Sequence, residues 1–177
     1  MQKMIAVLGS ALFFVVAPFV LAGLIPWQMT DWELRPAFLG LEVTRAIGVV
    51  LILIGLPGLV DSFARFALQG LGTPAPVAPT KHLVVTGLYR HVRNPIYVAV
   101  VAIIVGQGVL FGDWRLIVYG ALLWLGFHIF VVAYEEPTLD ETFGREYEAY
   151  RANVRRWIPR VLPWRAPESG WRQPAKQ

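Results

Sequence analysis

Residues 96–134 read IYVAVVAIIVGQGVLFGDWRLIVYGALLWLGFHIFVVAY. Two apolar runs, Ile96–Phe111 and about Trp114–Tyr134, are separated only by Gly112-Asp113. Each run is too long for a strand and is unbroken by charge in its middle. Both therefore predict helices, and a two-residue glycine turn forces them into an antiparallel hairpin. Such helices carry no polar face to offer water, so their surroundings have to be apolar.

The remainder of the chain agrees with that solvent. Of its 177 residues 56% are hydrophobic and 16% charged, against roughly a quarter charged in an ordinary soluble domain. The mean hydropathy is +0.53. A net charge of +4 with the basic residues scattered among apolar runs suits anionic lipid headgroups rather than nucleic acid. With no cysteine, disulfides, thiolate metal sites and cysteine nucleophiles are excluded.

Upstream, Met4–Ile25 is almost wholly apolar and long enough to cross a bilayer. Lys3 ahead of it and Val20-Leu21-Ala22 near its end also fit a secretory signal, but the length and the further spans favour a retained first span. Pro26 to Glu42 reads as a polar loop with Trp27 and Trp32 at the interface. A second span is predicted from about Thr44 to Leu68, with a kink or break at Pro57. Asp61 and Arg65, one turn apart, are placed to pair near its end. Gly70–Pro79, punctuated by Gly70, Gly72, Pro74, Pro76 and Pro79, predicts extended backbone without regular structure.

The expected architecture is all-α: an integral membrane bundle of about four transmembrane helices with a C-terminal amphipathic helix. One membrane domain is divided as 1–68 (two spans), 69–95 (connector), 96–134 (hairpin), 135–160 (closing helix) and 161–177 (tail). Putting both termini and the connector on one side collects Lys3, Arg65, Lys81, Arg90, Arg93 and eight tail residues there, thirteen basic residues against Arg35, Arg45 and Arg115. That asymmetry predicts a cytoplasmic location for the connector and the tail.

Polar groups concentrate in three places. Gly87–Tyr97, GLYRHVRNPIY, sets Arg90, His91, Arg93 and Asn94 directly before the hairpin. Glu135 and Glu136 end the fourth apolar run, where adjacent carboxylates need a cationic or hydroxyl partner; Arg90 and Arg93 are the candidates. In the tail, Thr138 with Glu141 fits a capping box. Leu139, Phe143, Tyr147, Tyr150, Val154 and Trp157 then form an amphipathic stripe, which Pro159 ends. Such a helix also suits the membrane surface, with Arg155 and Arg156 on lipid phosphates. Gly106-Gln107-Gly108 marks a close approach, for which helix packing through small residues is the ordinary reason.

Taken in order, GLYRHVRNPIY, Gly106-Gln107-Gly108, Glu135-Glu136 and FGREYEAYRANVRRWIP resemble the isoprenylcysteine carboxyl methyltransferase and phospholipid methyltransferase superfamily over about Gly87–Pro159. The resemblance implies an integral membrane methyltransferase that uses S-adenosylmethionine in a pocket at the cytosolic face. By it, Arg93-Asn94-Pro95 corresponds to an Arg-His-Pro triplet and Tyr97 to the tyrosine that follows. Tyr89, Arg90 and His91 fall on the same cofactor wall. Gly106 and Gly108 correspond to glycines that admit the cofactor to the backbone, and Glu135 and Glu136 to its acidic contacts. Tyr147, Tyr150, Arg155 and Arg156 correspond to the residues that close the pocket. The resemblance assigns catalysis to Arg93, Glu135 and Glu136. Asn94 departs from the pattern: it can share hydrogen bonds but carries no positive charge.

The chemistry such a site needs is consistent with these residues. Methyl transfer from a sulfonium is an in-line displacement by an activated donor, so alignment and exclusion of water matter most. Carboxylates suit ribose hydroxyls or an amino group, arginines a carboxylate, and aromatic faces a sulfonium or adenine. No metal is implied, since His82, His91 and His128 form no ligand cluster. The acceptor is expected to be lipophilic or small and membrane-accessible: a carboxylate, thiol or amine. An NADPH-dependent membrane reductase of related fold and a non-enzymatic scaffold remain as alternatives.

Overall fold

The computed structural model describes residues 16–69 and 83–165. The start of the first predicted span and the whole Gly70–Pro79 stretch lie outside these residues. The described residues form five helices: α1 Val16–Thr30, α2 Val43–Gln69, α3 Pro95–Phe111, α4 Trp114–Phe143 and α5 Arg145–Asn153. Short 3₁₀ turns occupy Phe38–Gly40 and Gly87–Arg90, and no strand occurs among the described residues.

Two helices, α2 over Val43–Arg65 and α4, are long and apolar enough to cross a membrane; α1 and α3 are shorter apolar helices. Their exposed side chains include Ile47, Val50, Leu53 and Ile54 on α2 and Leu122, Leu125 and Ile129 on α4. In water that much uncovered aliphatic surface would be unfavourable at about 25 cal/mol per Å². In lipid it costs nothing, which is the physical sense of these sequences.

The chain forms two compact units. The first contains, of the described residues, 16–60 and 96–127. Here the predicted hairpin is present. Gly112, at φ +72°, makes the turn. Asp113, fully buried, is held there by Arg115 at 2.7 Å and Arg35 at 3.3 Å. The antiparallel register is marked by Tyr97 stacked on Phe127, 4.6 Å between ring centroids, and by Gly120 facing Ile104. Ala22, Val100, Ile103 and Ile104 form the core, with Tyr119, Leu123 and Phe127 packed on it. On α2, Gly48 faces the Gly106 carbonyl and Leu110, and Gly55 faces Ile103, so the glycines let α2 and α3 approach backbone to backbone.

The helices differ from expectation at their prolines. Pro57 does not break α2, which continues unbroken to Gln69. Pro26 does not begin a loop: α1 continues through it to Thr30, where Asp31 turns left-handed at φ 49°. The reason lies just upstream. Val20–Leu24 widens into a π turn, and the carbonyls that a residue with an N–H at position 26 would serve are met by side chains instead. Tyr119 Oη donates to the Leu21 carbonyl at 3.0 Å, and Gln107 Nε2 to the Ala22 carbonyl at 2.7 Å.

The second unit contains 61–69, 83–95 and 128–165. A π turn ahead of a proline recurs there. Val131–Glu135 is a π turn, and the helix passes through Glu136-Pro137 without ending. The expectation that the fourth span stops near Tyr134 and a new helix is capped at Thr138 is therefore corrected. The Thr138 hydroxyl donates back to the Tyr134 carbonyl at 2.7 Å inside one continuous helix. The amphipathic helix is also shorter than its stripe suggests. Gly144, at φ 49° and ψ −118°, divides α4 from α5, and Val154 is extended, so Trp157 lies beyond the last helix. Tyr147, Tyr150 and Val154 still form a small core with Leu83, Val85, Leu139, Phe143 and Trp164.

Candidate active site

The connector motif and the end of the chain are laced together within the second unit. Gly87 starts the 3₁₀ turn at φ +53°, and its bare face is covered by the guanidinium of Arg65, which pairs with Asp61 at 2.9 Å. Only glycine leaves room for that side chain. Past the turn, the backbone runs alongside the segment after α5. Arg93 N donates to the Arg155 carbonyl, Arg160 N to the His91 carbonyl and Trp164 N to the Arg90 carbonyl, each at 2.9 Å.

Side chains lock the same pairing. Asn94 Nδ2 donates to the Arg156 carbonyl at 3.2 Å, and Arg90 Nε to the Trp164 carbonyl at 2.6 Å. His91 Nδ1 lies 2.8 Å from the Arg160 carbonyl. A carbonyl can only accept, so Nδ1 is the protonated nitrogen of that ring. Tyr150 Oη donates to the Tyr89 carbonyl at 2.6 Å. Arg90, expected beside the glutamates, is thus employed on the chain's own backbone. Asn94 is buried and does likewise, a task that needs an amide and no charge.

Inside this clamp lies a charged cluster. Glu136 accepts both hydrogen bonds of Arg156, at 2.6 and 2.7 Å, and meets Arg93 Nη1 at 3.1 Å. Arg93 Nη1 also donates to Tyr147 Oη at 2.9 Å, and the guanidinium carbon stands 5.9 Å from the Tyr147 ring centroid. The Arg93 and Glu136 side chains are only 11% and 13% exposed, so the charges interact with little solvent between them. Arg93 Nε is buried and has no acceptor among the described residues. Asp140 Oδ1, one turn on from Glu136, is buried with no donor among the described residues.

The surroundings tune these groups. Burial pushes the Tyr147 phenol up to about 12 and also raises Tyr150 and Tyr89, so all three stay neutral. The hydrogen bonds it donates to Glu136 raise Arg156 above its ordinary value. The cluster offers a fixed double cation, one shared carboxylate and phenol hydroxyls, with a guanidinium N–H left over. That is an arrangement able to receive an anionic or zwitterionic group.

Of the residues expected in the site, Tyr89, Arg90, His91, Arg93, Asn94, Glu136, Tyr147, Tyr150 and Arg156 come together here. Glu135 precedes Glu136 in the π turn, near enough to raise the phenols of Tyr89, Tyr147 and Tyr150. Arg155 contributes its carbonyl, while its side chain is exposed. Pro95 opens α3. Tyr97, Gly106 and Gly108 belong to the other unit, where each has a packing partner: Phe127, the backbone of Gly48, and Leu116 with Ile117. Two residues escaped the sequence reading. Arg160, at the last position of the predicted closing helix, and Trp164, in the predicted tail, were not expected in the site, yet both carry backbone hydrogen bonds of the clamp. The only available signal was their alternation with prolines, which favours extended backbone.

Comparison with known proteins accords with this geometry. A family model described as phospholipid methyltransferase matches residues 43–146. An uncharacterized protein from Haemophilus influenzae is 40% identical over 52 residues, 25% of this chain and 82% of its own. No solved structure matches the chain. The family match spans α2 through the start of α5 and so takes in the connector motif, Glu136 and the hairpin. The chain belongs to the phospholipid methyltransferase family.

Proposed function

We propose that the protein is a membrane-embedded methyltransferase that uses S-adenosylmethionine, and that the Arg93–Glu136–Arg156 cluster is where it grips the cofactor. The observation that carries this reading is the buried Nε of Arg93, a charged donor without an acceptor among the described residues, in a cluster where one Glu136 carboxylate faces two guanidinium groups. An amino acid carboxylate fits that position, and the neutral phenol of Tyr147 beside it supplies a second polar contact. Glu135 is suited to the ammonium or ribose hydroxyls. When bound, the cofactor supplies an electrophilic methyl on a sulfonium. The chain's part is to orient it and exclude water: Glu136 ties Arg93 and Arg156 to one carboxylate, and the 155–164 segment is hydrogen-bonded along the connector beside them.

In this reading α1 to α4 cross the bilayer, with the connector and the 128–165 region at the cytoplasmic face, where most basic residues fall. The acceptor is a lipophilic or small membrane-accessible carboxylate, thiol or amine. Titration calorimetry of the detergent-solubilised protein with S-adenosylmethionine and with NADPH tests the assignment. Binding of S-adenosylmethionine, lost when Glu135 and Glu136 are both replaced by alanine, is expected. NADPH binding alone would make the protein a reductase, and binding of neither would leave a scaffold. Unchanged affinity in the double variant would remove the site from this cluster.

A further inference from the structure

The segment after α5 has an outer side that the cofactor reading does not use. Its inner side is spent on the clamp: the backbone of Arg155, Arg160 and Trp164 and the carbonyl of Arg156 hold Arg93, His91, Arg90 and Asn94. Its outer side carries Ile158, Val161 and Leu162, which are 62%, 92% and 73% exposed. These residues are framed by basic side chains. Arg155 and Arg165 are exposed and Arg160 half-buried, and no acidic residue occurs from Val154 to Arg165. Pro159 and Pro163 keep the backbone from coiling, so the apolar side chains stay outward.

Protruding aliphatic residues between arginines do not suit water or a saturated protein interface. They suit the boundary of a negatively charged bilayer, with aliphatic tips below the phosphates and guanidinium groups among them. We infer that residues 155–165 form a strap that docks on an anionic lipid surface through Ile158, Val161 and Leu162, with Arg155 and Arg165 on the headgroups. Because its other side is hydrogen-bonded to Arg90, His91, Arg93 and Asn94, docking also steadies the connector wall of the clamp. The inference does not depend on which cofactor, if any, the cluster binds.

The absence of native cysteine makes the test direct. Val161→Cys carries an environment-sensitive fluorophore, and the protein is reconstituted in phosphatidylcholine bilayers with or without phosphatidylglycerol. Val161 is so exposed that the change leaves the fold intact; circular dichroism and the unfolding midpoint confirm that. The expected result is a blue-shifted, brighter emission that grows with the phosphatidylglycerol fraction. Quenching by bromine-labelled acyl chains should accompany it. Adding Arg155→Gln and Arg165→Gln should abolish the dependence on anionic lipid. A water-like emission in both bilayers would overturn the inference. So would a blue shift that follows protein density and ignores lipid charge, because the occupant would then be a second copy of the chain.

Discussion

The Glu136 carboxylate and the Arg156 guanidinium, twenty positions apart in the chain, face each other in a two-pronged pair at 2.6 and 2.7 Å. One carboxylate serves this pair and Arg93 together, so it fixes where both cations stand. Replacing Glu136 by Gln keeps the shape and removes the charge. The largely desolvated Arg93 and the partly exposed Arg156 are then left against each other, a loss of up to about 3 kcal/mol by the usual penalty for breaking a buried pair. Thermal unfolding in detergent should show it as a clear drop in midpoint. Affinity for S-adenosylmethionine should fall by about tenfold or more, roughly 1.4 kcal/mol. Glu141→Gln, exposed on the same helix, should change neither.

How much of this was legible from residues alone follows from the range of the forces involved. The hairpin and the α2 span depend on hydrophobicity over many residues, so they can be read with confidence from composition and length. Glu136 and Arg93 stood out because charge beside a span demands a partner. The errors came from single backbone groups. Pro26 and Pro137 look like helix ends, and Thr138 looks like a cap, unless one knows that a π turn stands six residues ahead of each proline or that Tyr119 and Gln107 serve the freed carbonyls. The tail helix was overdrawn because its stripe continues past Gly144, where the backbone leaves helical space. Arg90 and Asn94 were read by their charge and family position, whereas their partners are carbonyls more than sixty residues away, which no local pattern records.

The phenol of Tyr147 gives the cluster a dependence on alkaline pH. Its folded value, raised by burial to about 12, lies above the roughly 10 of a free tyrosine. A raised value means that the stabilising contribution is complete below about pH 10 and is lost as pH rises through about 12. Tyr147→Phe removes the hydrogen bond to Arg93 and should cost about 1–2 kcal/mol near neutrality. The gap between the native protein and the variant should then narrow above about pH 10, followed by unfolding midpoints and phenolate absorbance. A gap that is constant or widening toward pH 12 would show that Tyr147 is not the titrating group.

Gly87 ties the connector to α2 through the side chain of Arg65, which occupies the place of a β-carbon. With φ at +53° and the Arg65 guanidinium lying on its α-carbon, an added methyl meets strain and overlap together. Gly87→Ala should lower stability by about 1–3 kcal/mol. Removing the obstructing side chain should recover part of that. In a cycle with Arg65→Ala, the double variant is expected to be less destabilised than the sum of the singles, and strict additivity would place Arg65 away from Gly87.

Gln107, within the glycine pair that resembles a cofactor contact, has a different occupation. Its Nε2 donates to the Ala22 carbonyl at 2.7 Å, and its Oε1 accepts from Trp32 Nε1 at 3.0 Å, deep in the first unit. Gln107→Met keeps the volume but strands the Ala22 carbonyl, and leaving a buried polar atom unpaired costs about 1–3 kcal/mol, whereas the half-exposed Trp32 indole carries no such penalty. A fall of about 1–3 kcal/mol in stability is expected on that basis. The cause can be isolated at the proline. Pro26→Ala restores an N–H near the Ala22 carbonyl, so the helix can serve that group itself. Gln107→Met made in the Pro26→Ala background should therefore be milder than in the native protein, as read by unfolding midpoints of the four proteins. Equal losses in both backgrounds would mean that Gln107 acts through Trp32 alone, and the repair of the π turn would have to be assigned to Tyr119.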